Sequence, residues 1–242
     1  MVNAIDYTPD NMGVVRFLPF FCMKRPFDIP VMLKRIEKAT AAYPKAAMFD
    51  LFDRGYSSLF EQLASCIISI RTLDETTIPL SEKLFAKART PKDLMKLSAT
   101  ELETILYGST FPGQKAHTLL RIAQTAVESY NGELPQDFAS LTAIKGVGPK
   151  CAGLALGVAH GYAAISVDIH VHRVTNRWGL ASAKTPEQTM VLLEQKIARE
   201  RWTDINRLLM PFGKHICTGR MPRCSTCPVL EYCRQVGVTS HR

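Results

Sequence analysis

The sequence predicts an all-α protein. Three observations carry this. Apolar residues recur at the helical period in one stretch after another, N-cap signals stand ahead of several of these stretches, and only Ala163 to Val167 reads as extended. The 242 residues suffice for one large or two modest domains with real cores. No internal repeat and no low-complexity segment is visible.

Residues 1–29 lack clear periodicity and are broken by Pro19 and Pro26, which predicts a surface arm. Pro30 to Tyr43 reads as a helix with proline at its start and Leu33 and Ile36 on one face. Phe60, Leu63, Ile67 and Ile70 follow the helical period. Asp74 is placed to cap a helix running to about Ala88, and Thr90-Pro91 opens a short one. Ser-Ala-Thr-Glu from Ser98 is a capping-box pattern for 99–106. Gly108 to Gly113 is a loop by composition. Gln114 to Tyr130 is a long helix ended by Asn131-Gly132. Pro135 to Ile144 is short and helical. Helices over Pro149 to His160, Ile169 to Trp178 with Asp168 as N-cap, Pro186 to Arg199 and Trp202 to His215 complete the chain.

Lysine and arginine outnumber aspartate and glutamate by 30 to 22, a balance of +8. Such a charge suits a polyanionic partner, and equally a merely soluble basic protein. A transmembrane span is not expected, because the uncharged run from Cys151 to Val167 carries His160, Tyr162 and three glycines. Asp6 and Asp10 argue against a secretory signal. Seven cysteines, four of them within the last 26 residues, argue for a metal centre in a reducing compartment over a disulfide framework.

The richest stretch is Lys145-Gly146-Val147-Gly148-Pro149-Lys150, a glycine turn between two helices. Backbone free of side chains can approach a ligand closely, and the helix that starts at Pro149 points its free N–H groups outward. That end can hold a phosphate without reading bases, though the same pattern also makes an ordinary packing corner. Lys150 lies in the first helical turn, where the helix N-terminus and cations such as Lys145 favour its neutral, nucleophilic amine. Asp168 can cap its helix while remaining a fixed, ionised carboxylate beside a reacting sugar.

Lys-Gly-Val-Gly-Pro-Lys, followed eighteen residues beyond the lysine by Val-Asp-Ile-His, resembles the endonuclease III family of the helix-hairpin-helix DNA glycosylases. The resemblance spans roughly residues 31–236. It implies that Lys150 is the nucleophile and Asp168 the catalytic carboxylate of a bifunctional DNA glycosylase and abasic-site lyase that removes oxidised pyrimidines. It implies double-stranded DNA, damaged or abasic, as partner, touched by Lys145, Gly146, Val147, Gly148 and His170. A glycosylase for another lesion, such as an alkylated purine, and a non-catalytic damaged-DNA-binding protein are the alternatives.

Cys217, Cys224, Cys227 and Cys233 form C-x6-C-x2-C-x5-C. Four thiolates at this spacing can hold an iron–sulfur cluster or a zinc ion. The resemblance selects a [4Fe-4S] cluster, and makes the loop with Arg220 and Arg223, after Lys214 and His215, a phosphate contact. Cys22, Cys66 and Cys151 fit no ligand spacing and read as core residues.

Two departures from the family bear on substrate. Arg71 stands in Ser69-Ile-Arg71-Thr-Leu-Asp74 where the family has a glutamine that fills the gap left by an extruded nucleotide. Phe111 occupies the loop that supplies an apolar wedge. The resemblance also implies two domains, a six-helix one over 52–162 and a cluster domain from 31–51 and 163–242, after an arm of residues 1–30. A monomer is expected, cytoplasmic and nucleoid-associated if the source is bacterial.

Overall fold

Twelve α-helices and two short 3-10 turns build residues 24–242, the part of the chain described by the structure, a computed structural model. The helices are α1 (Ile29–Thr40), α2 (Ala47–Asp53), α3 (Leu59–Ser69), α4 (Asp74–Phe85), α5 (Pro91–Leu94) and α6 (Ala99–Ile105). They continue with α7 (Pro112–Ser129), α8 (Phe138–Ala143), α9 (Pro149–His160), α10 (Ile169–Trp178), α11 (Pro186–Lys196) and α12 (Trp202–His215). The 3-10 turns are Arg199–Arg201 and Cys224–Thr226. Most of the expected N-terminal arm, Cys22 included, lies outside the described residues.

Local chemistry accounts for most helix starts. Ser58 and Glu61 close a capping box on α3, and Ser98 and Glu101 close another on α6. Thr90, Asp137 and Thr185 cap α5, α8 and α11 with their side chains. Asp74 departs from expectation. Leu73 is the N-cap of α4, and Asp74 is the first helical residue, half-buried, with no side-chain bond to the helix start. α7 starts at Pro112, two residues before the expected Gln114, because the proline is pre-set for a first helical turn. α11 ends at Lys196 instead of Arg199. α2 was not anticipated at all.

Ala163 to Val167 forms no strand, and the described residues offer it no extended neighbour to pair with. Ile165 and Val167 are instead buried as ordinary core residues.

The apolar faces close two separate cores. The first is built on α3, whose residues from Leu59 to Ile68 are all buried, and gathers side chains of α2, α4, α6, α7 and α9 around it. Ala47, Met48 and Leu51 belong here, so α2 sides with this core. The second core joins α1 to α10, α11, α12 and the cysteine segment, with Trp178 and Phe212 6.3 Å apart at its centre. Truncating a fully buried leucine of either core, such as Leu63 or Leu209, costs about 2–5 kcal/mol. The chain thus begins in the second core, builds the first with α2 to α9, and returns along residues 161–168. Lys150 lies on the last helix of the first core, and Asp168 is where the chain re-enters the second.

Candidate active site and cysteine centre

The turn between α8 and α9 needs glycine at one position for its shape and at another for its openness. Gly146 has φ +105°, and a Cβ there would sit 2.8 Å from Thr118 Cγ2. Gly148 has an ordinary φ of −83°, and a Cβ there would meet nothing within 4 Å. Openness at Gly148 leaves the backbone approachable from outside. No side chain caps α9, so its first N–H groups face outward at the positive end of the helix dipole. Lys145, Gly146, Gly148 and Lys150 are exposed. Val147 is not: its side chain is 5% exposed and packs in the first core, leaving only its backbone to a ligand.

Asp168 caps α10. Its Oδ1 accepts from the His170 and Val171 N–H groups, both at 2.8 Å. Oδ2 has only a long contact, 3.5 Å, from the Asn206 amide. One oxygen therefore anchors the carboxylate and the other is left to face a ligand. The charges of Lys150 and Asp168 reach the two helix ends that one bend joins. The Lys150 charge bears on the thiols of Cys66 and Cys151, Cys66 lying in the last turn of α3. The Asp168 charge bears on Asp74, the first residue of α4. Ile70 to Leu73, with Arg71, joins those two turns. Burial is the main reason that Asp74 titrates above the usual carboxylate range, with the charges of Glu75 and Asp168 adding to it and Lys214 opposing.

Arg71 and Phe111 are both exposed and both left-handed, with φ of 54° and 57°. The Arg71 guanidinium bonds to no described residue. Phe111, 55% exposed, is free of the core. His170 differs from expectation. Its ring is half-buried against Gly213 of α12, with Nδ1 3.1 Å from Arg173 Nη2, so part of it is engaged within the protein. Burial pulls its pKa below the usual histidine value, against the pull of the Asp168 charge.

The four C-terminal cysteines line a single small cavity, together with Arg177, Trp178, Phe212 and Leu230. Burial pushes the Cys227 thiol up to about 12, and the other three thiols lie close enough to add to the effect. Four cysteines lining one cavity, Cys224 and Cys233 buried and Cys217 and Cys227 half-buried, fit an iron-bearing group whose positive charge would hold them as thiolates. Their sulfurs do not form a compact ion-holding group among the described residues. The surrounding segment is strapped by α10. Arg177 donates to the carbonyls of Thr218 and Gly219 at 2.6 and 2.7 Å, and Arg173 to Cys217 and Gly213 at 3.2 and 2.8 Å. These two arginines, one helical turn apart, were not singled out from the sequence, although their i,i+4 spacing puts them on one face. Arg220 and Arg223 are exposed without an ion pair among the described residues. Lys214 and His215 are otherwise engaged, the first with Glu75 and the second stacked on Tyr43 at 4.3 Å. Cys66 and Cys151 are buried and touch across the α3–α9 contact.

Residues 64–199 match the model of the HhH-GPD superfamily, described as base excision DNA repair proteins. The chain is 36% identical to endonuclease III of Thermotoga maritima over 174 residues, covering 72% of this chain and 82% of that one. It is 32% identical to endonuclease III of Escherichia coli strain K12 over 178 residues, covering 74% and 84%. It also superposes on a solved trapped endonuclease III–DNA covalent intermediate, an estranged-adenine complex, with TM-score 0.74 and 28% identity, over 86% of this chain and 94% of that one.

Proposed function

The chain belongs to the endonuclease III family within the HhH-GPD superfamily of base excision DNA repair proteins, and on that premise we propose that Lys150 and Asp168 carry its chemistry. It is a DNA glycosylase and abasic-site lyase acting on oxidised pyrimidines. The observation that carries the assignment of roles is the split use of Asp168, one oxygen spent on the α10 cap and the other holding a single long contact.

The damaged nucleotide is flipped out of the stack, and Lys150 Nζ attacks its C1′ as the bond to the base breaks. Asp168 stabilises positive charge on the sugar and accepts a proton from the attacking amine. The proton held by Asp168 passes to O4′ as the C1′–O4′ bond opens to leave the Schiff base, and loss of a C2′ proton then expels the 3′ phosphate as the C3′–oxygen bond breaks, which nicks the strand. The turn at Lys145 to Gly148 holds a backbone phosphate through its N–H groups. Phe111 wedges into the stack. Arg71, which has donors only, suits an orphaned base met on its major-groove edge, where guanine offers O6 and N7 as acceptors and adenine offers N7 beside an amino donor.

Cys217, Cys224, Cys227 and Cys233 would hold a [4Fe-4S] cluster. When bound, it supplies a thiolate-tethered brace for the segment that carries Arg220 and Arg223, which are positioned for phosphate contact. We further infer that the two cores are two domains bordering a cleft, and that the protein acts as a monomer. Among the described residues no helix is long and apolar enough to cross a membrane.

A panel of duplexes with one lesion each tests this reading. Excision and nicking at oxidised pyrimidines, with alkylated purines left intact, is the expected result. Excision of alkylated purines alone would overturn the substrate class, and binding without cleavage would overturn the enzyme.

A further inference from the structure

The loops bearing Arg71 and Phe111 are tied together. The Thr110 hydroxyl donates to the Arg71 carbonyl at 2.7 Å, and the Thr110 N–H donates to Thr72 Oγ1 at 3.2 Å. From below, the Lys115 ammonium donates to Thr72 Oγ1 at 2.8 Å and to the Ile68 carbonyl at 2.6 Å. The Thr72 hydroxyl thus accepts two bonds, and it is within reach of the Ile70 carbonyl for its own proton, at 3.3 Å. Ile68 lies in the last turn of α3, where carbonyls lack a helical partner.

Lys115 is 6% exposed and has no carboxylate partner among the described residues. Burying an ammonium is unfavourable unless its protons are bonded, and here burial lowers its pKa to about 8. Packing alone would be served by a methionine. The amine is explained by what it holds, the end of α3 and the start of the Arg71 bend. Left-handed backbone at Arg71 and Phe111 is unfavourable for residues that carry a Cβ, and persists only where the surroundings enforce it.

We propose that Lys115, Thr72 and Thr110 clamp the two loops into one two-pronged unit, so that the depth to which Phe111 enters the stack fixes where the Arg71 guanidinium meets the orphaned base. These three are positioning residues that act through Arg71, and the inference rests on the glycosylase reading above. Hydrogen-bond readout of a base edge needs placement to within about 0.5 Å. An arginine on an untethered loop would not hold that.

The test is single-turnover excision by the full chain of one oxidised pyrimidine, in one duplex context, with guanine or adenine opposite. Wild type is expected to favour guanine. Thr110→Val and Thr72→Val each remove one hydroxyl from half-exposed positions. Each is expected to lower the guanine-to-adenine ratio about tenfold, the scale of one good base contact. Arg71→Ala should lower it as far, and the double variant Arg71→Ala/Thr110→Val no further. Lys115→Met should behave like the threonine variants, and if it does not fold, those two still decide. A ratio unmoved by either threonine variant, a double variant well below Arg71→Ala, or a wild type indifferent to the opposite base would overturn the clamp. Excision with an unmoved ratio defeats the clamp alone. Absence of both excision and a borohydride-trapped adduct on abasic DNA defeats the glycosylase reading itself.

Discussion

Asp168 caps α10 with one oxygen, and the catalytic role proposed for the other can be separated from that cap. Asparagine caps a helix about as well as aspartate, so Asp168→Asn keeps the bonds to His170 and Val171 while removing the charge. The melting temperature should hardly move, and single-turnover excision should fall by about 10²–10⁴-fold. A parallel loss of stability would mean that the carboxylate is only structural. Asp74, its neighbour, carries a signed prediction. Its folded pKa is raised, mainly by burial, so the native state releases this proton later than the unfolded chain does. Its contribution to stability is therefore lost as pH rises through the ordinary carboxylate range to the raised value. Asp74→Asn should be more stable than wild type at neutral pH, in urea titrations, with the gap closing as pH is lowered through that range.

At the scale of elements, the α8–α9 turn separates shape from access. Gly146→Ala forces a side chain onto φ +105° and against Thr118, at a cost of about 1–3 kcal/mol in unfolding free energy. Gly148→Ala has a permitted φ and open space, so its melt should match wild type while affinity for abasic duplex drops. Equal stability losses in the two variants would contradict the division. Elements with local signals were legible in the sequence: the Ser98 box, the Asp168 cap and the proline start of α9 each rest on residues a few positions apart. α2 was not, because it is seven residues long and no side chain caps it. Asp74 has the composition of a cap, but Leu73 takes the cap geometry and Asp74 the first helical position, one residue later than its composition suggests. Ala163 to Val167 has strand-like composition and no strand to pair with.

Across the whole molecule, the order of the cores does the positioning. Lys150 ends the first core's helices, Asp168 opens the return into the second, and α10 runs from Asp168 to the arginines that strap the cysteine segment. The proposed catalytic pair and the four cysteines stand out as spacings along the chain. The ties of Lys115 to Ile68 and of Asn206 to Asp168 span 47 and 38 residues and depend on packing, which no local pattern encodes. The central claim is that Lys150, and not the also exposed Lys145 five positions earlier and on the other side of the glycines, forms the bond to the sugar. Borohydride reduction of the protein with abasic duplex, followed by peptide mapping of the adduct, tests it most directly. One covalent adduct on Lys150, absent from Lys150→Ala, is the predicted result. An adduct on Lys145 or elsewhere, or one that forms undiminished in Lys150→Ala, would contradict it.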